Sequence, residues 1–164
     1  MKKLIIVFTL IPFLFGCSLQ KDKSEQNIAV VEKYIRIIET MSYDGMDAML
    51  SEDYHGLGPS FNDSINKQQA IASWKYNVEN LYEKIEYKRE QHGSVIISKG
   101  PNKGEWVSSW AELNITYKNG KSIVIWANTA YKVENDKIVK SFTFYNEADA
   151  LEQLGYVFIN PDNL

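Results

Sequence analysis

The chain has 164 residues, which is close to the usual size of a single domain. Its 18 basic and 21 acidic side chains give a formal net charge of −3 at pH 7. No basic run occurs along the chain, so nucleic acid is not an expected partner, since such binding needs a clustered positive face. One cysteine allows no disulfide within the chain, and the fold must depend on the apolar residues, which make up 45% of the sequence.

The N-terminus predicts a secretory signal peptide. Two lysines precede an apolar run from Leu4 to Phe15, and this run is shorter than the roughly 20 residues that a membrane-spanning helix requires. Leu14-Phe15-Gly16-Cys17 resembles the bacterial lipobox, in which the cysteine is lipidated and becomes the new N-terminus. Phe15 is larger than the residue usual at that position. The alternative is an ordinary signal peptide followed by an incidental free cysteine.

The lipobox resemblance implies an envelope lipoprotein with a lipid anchor at Cys17. Residues 1–16 are then the signal peptide, 17–26 the lipidated cysteine with a polar tether, and 27–164 the globular domain. Stable anchoring needs more than one acyl chain, which lipoproteins of this type carry. Ser18 stands where an aspartate signals inner-membrane retention in enterobacterial lipoproteins, so the outer membrane is favoured if the cell has one.

Helical periodicity dominates the first half of the domain. Apolar residues recur at steps of three and four from Ile28 to Met41, which predicts an amphipathic helix over Ser24 to Met41. Asp44 is expected to cap a short second helix. Tyr54 to Leu57 is expected to form a short strand, and a third helix begins at about Asn66.

The period then changes to the alternation of β-strands. The predicted strands are Ile85 to Arg89, Val95 to Ile97, Glu105 to Tyr117, Ser122 to Val133 and Ile138 to Tyr145. Asn119-Gly120 predicts a hairpin whose two turn residues both have positive φ. Asn146 is expected to cap a final helix that ends before Gly155. Helices followed by an antiparallel meander predict an α+β fold with helices on one face of a curved sheet.

This order of elements resembles the nuclear transport factor 2-like fold, specifically its SnoaL-like polyketide-cyclase branch. Three stretches carry the resemblance: Leu50 to Pro59, Lys137 to Tyr145, and Tyr145 to Gly155. The resemblance covers about residues 28 to 158. It implies a cone in which three N-terminal helices pack on a curved, mainly antiparallel sheet, with a short C-terminal helix and an enclosed pocket.

The resemblance also implies a range of possible activities. Members of this group include aldol cyclases, isomerases, dehydratases and hydrolases, beside domains with no known reaction. In the cyclase branch an acid–base aspartate lies near the end of the last strand, and the matching position here is Asn146. An amide cannot act as a general base, although it can donate a hydrogen bond to a carbonyl or enolate oxygen. Asn146 is equally suited to cap the helix that follows it.

His55 and Asp53 are the remaining catalytic candidates. Histidine titrates near neutrality, and residues i and i+2 on a strand share a face, so Asp53 could orient the imidazole of His55. The alternative for His55 is an exposed or structurally hydrogen-bonded position. The second histidine, His92, follows a strand and is expected in a surface loop.

Aromatic and amide side chains provide a candidate lining for a ligand pocket. Such a site is concave, mostly apolar and carries few polar groups. The candidates are Tyr54, Trp74, Trp110, Trp126, Asn128, Phe144 and Tyr145. The alternatives are that these rings fill the core or a dimer face, and strand parity alone does not tell which face of each strand points inward.

No metal site and no cofactor are expected, because the sequence has no ligand cluster at metal spacing, no Gly-rich phosphate loop and no Gly-x-Ser-x-Gly. The leading hypothesis is an envelope lipoprotein that binds a small, largely apolar organic molecule without strong catalysis. One alternative is a lyase or isomerase that uses His55 and Asn146. The other is a homodimeric protein-interaction module.

Overall fold

A computed structural model describes the backbone of residues 16–160 and 162 and the side chains of residues 23–160 and 162. The apolar run of the predicted signal peptide lies outside the described residues. The elements in chain order are α1 (Gly16–Glu39), α2 (Tyr43–Met49), β1 (Leu50–Leu57), β2 (Ser64–Asn66), α3 (Lys67–Asn80), β3 (Tyr82–Ile97), β4 (Gly104–Tyr117), β5 (Ser122–Glu134), β6 (Lys137–Tyr145) and α4 (Glu147–Gln153).

The strands form one six-stranded sheet in the order β2-β1-β6-β5-β4-β3. β1 runs parallel to β6, and every other neighbouring pair is antiparallel. The helices lie against one face, here called the inner face, and the opposite face is called the outer face. The predicted α+β class is confirmed, and the β1–β6 pair makes the sheet mixed.

The core lies between α1 and the inner face. Val31 and Ile35 of α1 are fully buried, and the same stripe of the helix carries Tyr34 and Ile38. These residues recur at steps of three and four, which brings them onto one side of a helix. Burial of each large aliphatic side chain contributes about 1.5–3 kcal/mol, so this stripe is a major source of stability.

α1 is longer than the sequence pattern predicts. Residues 17–26, the expected lipidated cysteine and polar tether, lie within the helix, which begins at Gly16. Its start is bonded to the sheet: Lys23 Nζ lies 3.2 Å from a Glu105 carboxylate oxygen, and Asn27 Nδ2 donates to Glu105 Oε2 at 3.1 Å. Gln26 Nε2 donates to Asp136 Oδ1 at 2.7 Å. No helix among the described residues is both long enough and apolar enough to cross a bilayer.

β3 is one continuous strand where two short strands were predicted. It pairs with β4 over its whole length, with a register break between Lys88 and Gln91. Arg89 within the break has a φ of 52°. This is a β-bulge, in which extra residues on one strand oppose the partner without ending the ladder. The polar residues that suggested a loop therefore lie on a paired strand.

The β4–β5 hairpin is confirmed, but its predicted turn geometry is wrong. Gly120 has a φ of 83°, and Asn119 is not among the residues with positive φ. Gly120 N donates to Tyr117 O at 2.9 Å and Tyr117 N to Lys121 O at 2.8 Å, which closes a three-residue loop. Such loops combine a type I turn with one left-handed glycine.

The two-residue turn with positive φ at both positions lies instead between β5 and β6. Asn135 and Asp136 have φ values of 52° and 59°. Asparagine and aspartate tolerate this conformation better than other side chains.

Side-chain oxygens cap the N-termini of α2, α3 and α4. Asn146 Oδ1 accepts a hydrogen bond from Asp149 N at 3.2 Å and so caps α4. Ser42, rather than Asp44, caps α2, because its hydroxyl accepts from Gly45 N. Asn66 begins α3 with a capping box completed by Gln69.

Several tyrosines are buried between the helices and the sheet. Burial raises the pKa of Tyr34, Tyr87 and Tyr131 above the usual value of 10.0. Burial is also the main cause that raises the pKa of Tyr82 to about 12, with a smaller contribution from Tyr117. The folded chain therefore favours the neutral phenols.

We predict that the free energy of unfolding decreases as the pH rises from 10 toward 12. Tyr82 has a pKa of about 12 when folded and 10.0 when exposed, so its contribution is complete below pH 10 and is lost as the pH approaches 12. One pKa unit corresponds to about 1.4 kcal/mol, so Tyr82 alone accounts for a loss of about 2–3 kcal/mol. Urea unfolding followed by circular dichroism between pH 7 and 11.5 measures the effect.

Tyr82→Phe is the matched control, because it keeps the ring and removes the ionising group. Its unfolding free energy should fall less steeply above pH 10 than that of the unmodified chain. Identical slopes for the two proteins would contradict the assignment to Tyr82.

Candidate functional site

Two neighbouring cavities lie between the inner face and the helices. The first, called the apolar cavity, has a volume of about 270 Å³ and lies where α4 crosses the ends of β3, β4 and β5. It is lined by Ile38, Trp74, Tyr82, Ile85, Tyr87, Leu113, Ile115, Tyr117, Ile123, Ile125, Tyr145, Glu147, Ala150, Leu151 and Leu154. Aliphatic and aromatic groups dominate this lining, as in sites for small organic molecules.

The second cavity, called the hydroxyl cavity, has a volume of about 210 Å³. It lies beneath α1 and is bounded by α2 and by β1, β4, β5 and β6. Hydroxyl groups distinguish it from its neighbour, and they come from Tyr34, Tyr54, Ser109, Thr129, Tyr131, Ser141 and Thr143. Strand alternation brings Thr129 and Tyr131 of β5 to this face, together with Ser141 and Thr143 of β6.

Five side chains line both cavities and form the partition between them: Ile38, Trp74, Tyr87, Leu113 and Tyr145. Side chains change rotamer far more readily than backbone moves. A ligand that occupied both cavities would require partition side chains to change rotamer.

Trp74 contributes the most informative polar atom of the partition. Its Nε1 is buried and has no hydrogen-bond partner among the described residues. The indole ring lies on α3 and packs against the Tyr82 ring, with a centroid distance of 5.9 Å. A buried donor without a partner costs about 1–3 kcal/mol. Because the indole ring lines both cavities, its N–H is a candidate donor to an acceptor on a ligand.

Tyr54 and Ser141 form the central polar pair of the hydroxyl cavity. Their hydroxyl oxygens share a hydrogen bond of 2.7 Å. The pair arises because β1 runs parallel to β6, with Gly56 of β1 opposite Ser141. Burial raises the pKa of Tyr54, although the hydrogen bond to Ser141 opposes the shift. The phenol is consequently neutral at pH 7 and acts as a hydrogen-bonding group rather than a base.

The ionisable side chains among the described residues that line the cavities are tyrosines and Glu147. Glu147 is exposed at the start of α4, where one carboxylate oxygen accepts a hydrogen bond from Ser60 Oγ at 3.3 Å. Within the described part of the chain, no group of three His, Cys, Asp or Glu residues is arranged to hold a metal ion. The cavities thus present neutral donors and acceptors with one carboxylate at the rim.

The predicted ligand-binding residues divide between the two faces of the sheet. Tyr54, Trp74 and Tyr145 line the cavities. Trp110 and Trp126 lie on the outer face with 45% and 61% of their surface exposed. The inner positions of β4 are Ser109, Ala111 and Leu113, so the even-numbered residues of β4 point outward.

Asn128 and Phe144 also lie on the outer face. Asn128 Nδ2 donates to Ser108 Oγ at 3.0 Å. Phe144 lines a separate outer groove of about 360 Å³, together with Val95 and Trp106.

The predicted catalytic residues lie outside both cavities. Asp53 and His55 are exposed on β1, and the buried Tyr54 between them points to the inner face. Asn146 is exposed at the cap of α4. The structure does not bring these three residues together with the cavity lining, and their catalytic roles stay predictions.

His92 does not lie in a surface loop, and that expectation is wrong. It belongs to β3 with 10% of its side chain exposed, and its Nε2 lies 3.6 Å from Glu90 Oε2. Glu90 in turn pairs with Arg36 of α1. The continuous strand buries His92 between sheet and helix.

Sequence reasoning missed several lining residues, among them Tyr34, Tyr87 and Tyr131. A signal for Tyr34 exists, since it falls on the same helical stripe as Val31 and Ile38. No comparable signal distinguishes Tyr87 or Tyr131, whose faces depend on the register of the sheet.

No protein-family model and no curated protein matches this sequence. A solved structure from Xanthomonas campestris, classed as a polyketide cyclase, matches with a TM-score of 0.66 and 13% identity, over 80% of this chain and 98% of that one.

Two further solved structures are similar. A nuclear transport factor 2-like protein of unknown function from Burkholderia pseudomallei matches with a TM-score of 0.63 and 14% identity, over 80% of this chain and 98% of that one. An LEH-like epoxide hydrolase from M. tuberculosis matches with a TM-score of 0.59 and 12% identity, over 80% of this chain and 91% of that one. These similarities confirm that the chain has the nuclear transport factor 2-like fold.

Proposed function

We propose that this chain is a SnoaL-like envelope lipoprotein whose domain binds a small, largely apolar organic molecule with a hydrogen-bond acceptor. The main observation in favour of the proposal is Trp74 Nε1, a buried donor without a partner among the described residues, on a ring that lines both cavities. A ligand carbonyl or ether oxygen would complete the hydrogen bond that the domain alone leaves unmade.

Cavity size supports a ligand that crosses the partition. Sites for small molecules usually measure about 300–1,000 Å³, whereas the two cavities measure about 270 and 210 Å³. The apolar body of the ligand would lie against Leu113 and Ile115, and its polar group would lie near Trp74 and Tyr54.

The chemistry of the lining supports binding over proton transfer. A general base works best when its pKa lies near the working pH. Burial instead raises the pKa of Tyr54, Tyr87 and Tyr131, which keeps these hydroxyls protonated. They are suited to fix the orientation of a neutral ligand. The acid–base alternative would require the exposed His55 and Asn146 to act at a site other than these cavities.

We predict that Trp74→Phe weakens binding of the ketone dye 6-propionyl-2-dimethylaminonaphthalene by about tenfold. The variant keeps an aromatic ring and removes the N–H, and a factor of ten corresponds to about 1.4 kcal/mol, near the upper end for one hydrogen bond. The dye has an apolar body and one carbonyl acceptor. Its emission shift on titration with residues 18–164 gives the dissociation constant.

Trp126→Phe is the matched control, because Trp126 lies on the outer face and is 61% exposed. His55→Gln serves the same purpose for the acid–base candidate. Both variants should bind the dye as the unmodified domain does. Equal affinity of Trp74→Phe and Trp126→Phe would contradict the role of Trp74 as hydrogen-bond donor. Absence of dye binding to the unmodified domain would contradict the proposal that the cavities form a binding site.

The proposed anchor depends on the sequence that precedes the domain. A basic start, the apolar run from Leu4 to Phe15, and Cys17 after a glycine support lipidation. The bacterial cell envelope is the corresponding location, with the outer membrane favoured if the cell has one. A second copy of the chain stays a further candidate partner, through the exposed aromatics of the outer face.

We predict that the mature protein from bacterial membranes has the mass of a chain beginning at Cys17 plus acyl groups. Intact mass spectrometry of the detergent-extracted protein measures this directly. Cys17→Ser removes the acceptor sulfur and should abolish the acyl mass. An unmodified chain beginning at residue 17 or 18 would indicate an ordinary signal peptide instead.

A further inference from the structure

We infer that one end of the domain, called the anchor end, faces the bilayer and that the apolar cavity lies at the opposite, water-facing end. The anchor end consists of the start of α1, the β3–β4 loop (98–103) and the Asn135–Asp136 turn. The inference rests on the lipid anchor at Cys17 that is part of the proposed function.

α1 connects Cys17 rigidly to the domain. Cys17 lies within α1, and the helix runs without a break to residues that are bonded to the sheet. Lys23 and Asn27 hold Glu105, and Gln26 holds Asp136. At the usual helical rise, Cys17 lies only about 9 Å along the axis from Lys23. An acyl anchor at Cys17 would therefore keep the anchor end close to the lipid headgroups.

The β3–β4 loop, which lies beside Glu105 at the anchor end, is basic. Lys99 and Lys103 are exposed, no acidic residue occurs between 98 and 103, and neither lysine forms an ion pair with any described residue. Val95 and Ile96 beside them expose 45% and 55% of their surface. A basic loop beside exposed aliphatic side chains suits anionic headgroups, which attract each lysine by about 1 kcal/mol.

The opposite end of the sheet carries two lysines that are bonded to backbone carbonyls and lie near exposed carboxylates. Lys118 Nζ donates to Glu79 O at 2.6 Å, and Lys121 Nζ donates to Leu154 O, so both lysines are engaged with the backbone. Glu147 and Glu152 of the adjacent α4 are exposed. Both lysines keep their positive charge, and Glu134 and Asp136 are exposed at the anchor end, so both ends carry charges of both signs. The orientation therefore rests on the tether and on the exposed lysines of the β3–β4 loop.

The cavities lie far from Cys17 and from the anchor end. Ile38 lies on α1 and lines both cavities, and it is about 32 Å from Cys17 at the helical rise. Tyr117, which lines the apolar cavity, is about 40 Å along β4 from Glu105 at the usual strand rise. The ligand consequently reaches the apolar cavity from water, which favours a small molecule with measurable aqueous solubility over a membrane-resident acyl lipid.

Energy transfer between the domain and the bilayer tests the orientation. Acylated full-length protein is reconstituted into vesicles of phosphatidylcholine and phosphatidylglycerol that carry an acceptor lipid. A donor dye is attached to Ser98→Cys at the anchor end or to Glu152→Cys on α4, both exposed positions. Transfer should be strong from position 98 and several-fold weaker from position 152. Equal transfer, or stronger transfer from position 152, would overturn the inference.

A paired substitution tests the contribution of the loop. Lys99→Gln with Lys103→Gln should lower transfer from position 98 in anionic vesicles and leave it unchanged in vesicles of phosphatidylcholine alone. Lys84→Gln with Lys88→Gln is the matched control, since these lysines lie on β3 away from the anchor end. An equal effect of both pairs would show that net charge, and not this loop, sets the orientation, against the inference.

Two measurements on the same sample separate the inference from the proposed function. Intact mass reports the acyl groups, and dye emission reports binding in the cavities. Equal transfer from both positions with acylation and dye binding intact would refute the orientation alone. Absence of acyl groups would refute both the anchor and the orientation, whereas loss of dye binding alone would refute the cavity proposal and leave the orientation standing.

Discussion

The packing of α1 across the inner face of the sheet is the constraint on which the other features depend. The stripe of Val31, Tyr34, Ile35 and Ile38 fixes the helix over β3, β4, β5 and β6. Because the sheet is curved and α1 covers only part of its inner face, α3 and α4 close the remainder. The two cavities are the spaces that these helices and α2 leave against the sheet. Tyr34 shows the connection directly, since its ring packs edge-on to Tyr131 at 5.8 Å and also lines the hydroxyl cavity.

The interior combines apolar packing with hydroxyl groups that stay neutral. Burial disfavours the charged form of a phenol. A buried tyrosine therefore stays neutral and supplies a polar atom without the free-energy cost of burying a charge. The Ser141 hydroxyl is the hydrogen-bond partner of the Tyr54 phenol, whereas the Trp74 indole N–H has no partner among the described residues. An interior of this kind distinguishes ligands by the position of one acceptor and by shape. A charged ligand would find no compensating charge deeper than the rim at Glu147.

The sequence predicted the positions of the helices and strands better than it predicted which side of each strand points toward the cavities. Helical spacing identified the buried side of α1, and the cap at Asn146 follows from its side-chain chemistry. Strand alternation divides residues into two sets, but which set points inward depends on the helices that cover the sheet. Tyr145 and Trp126 were therefore equal candidates, although only Tyr145 lines a cavity. The β3 bulge was also beyond local reasoning, because its pairing with β4 is a property of both strands.

The bulge in β3 has a consequence for solubility. β3 is an edge strand of the sheet and spans 16 residues, so it exposes a long row of backbone groups to other chains. An uninterrupted edge of that length is a template for intermolecular strand addition. The break between Lys88 and Gln91 shifts the register, and the side chain of Arg89 lies near Glu112 and the Trp126 ring. A foreign strand could thus match only one half of the edge at a time, which protects the protein against aggregation through β3.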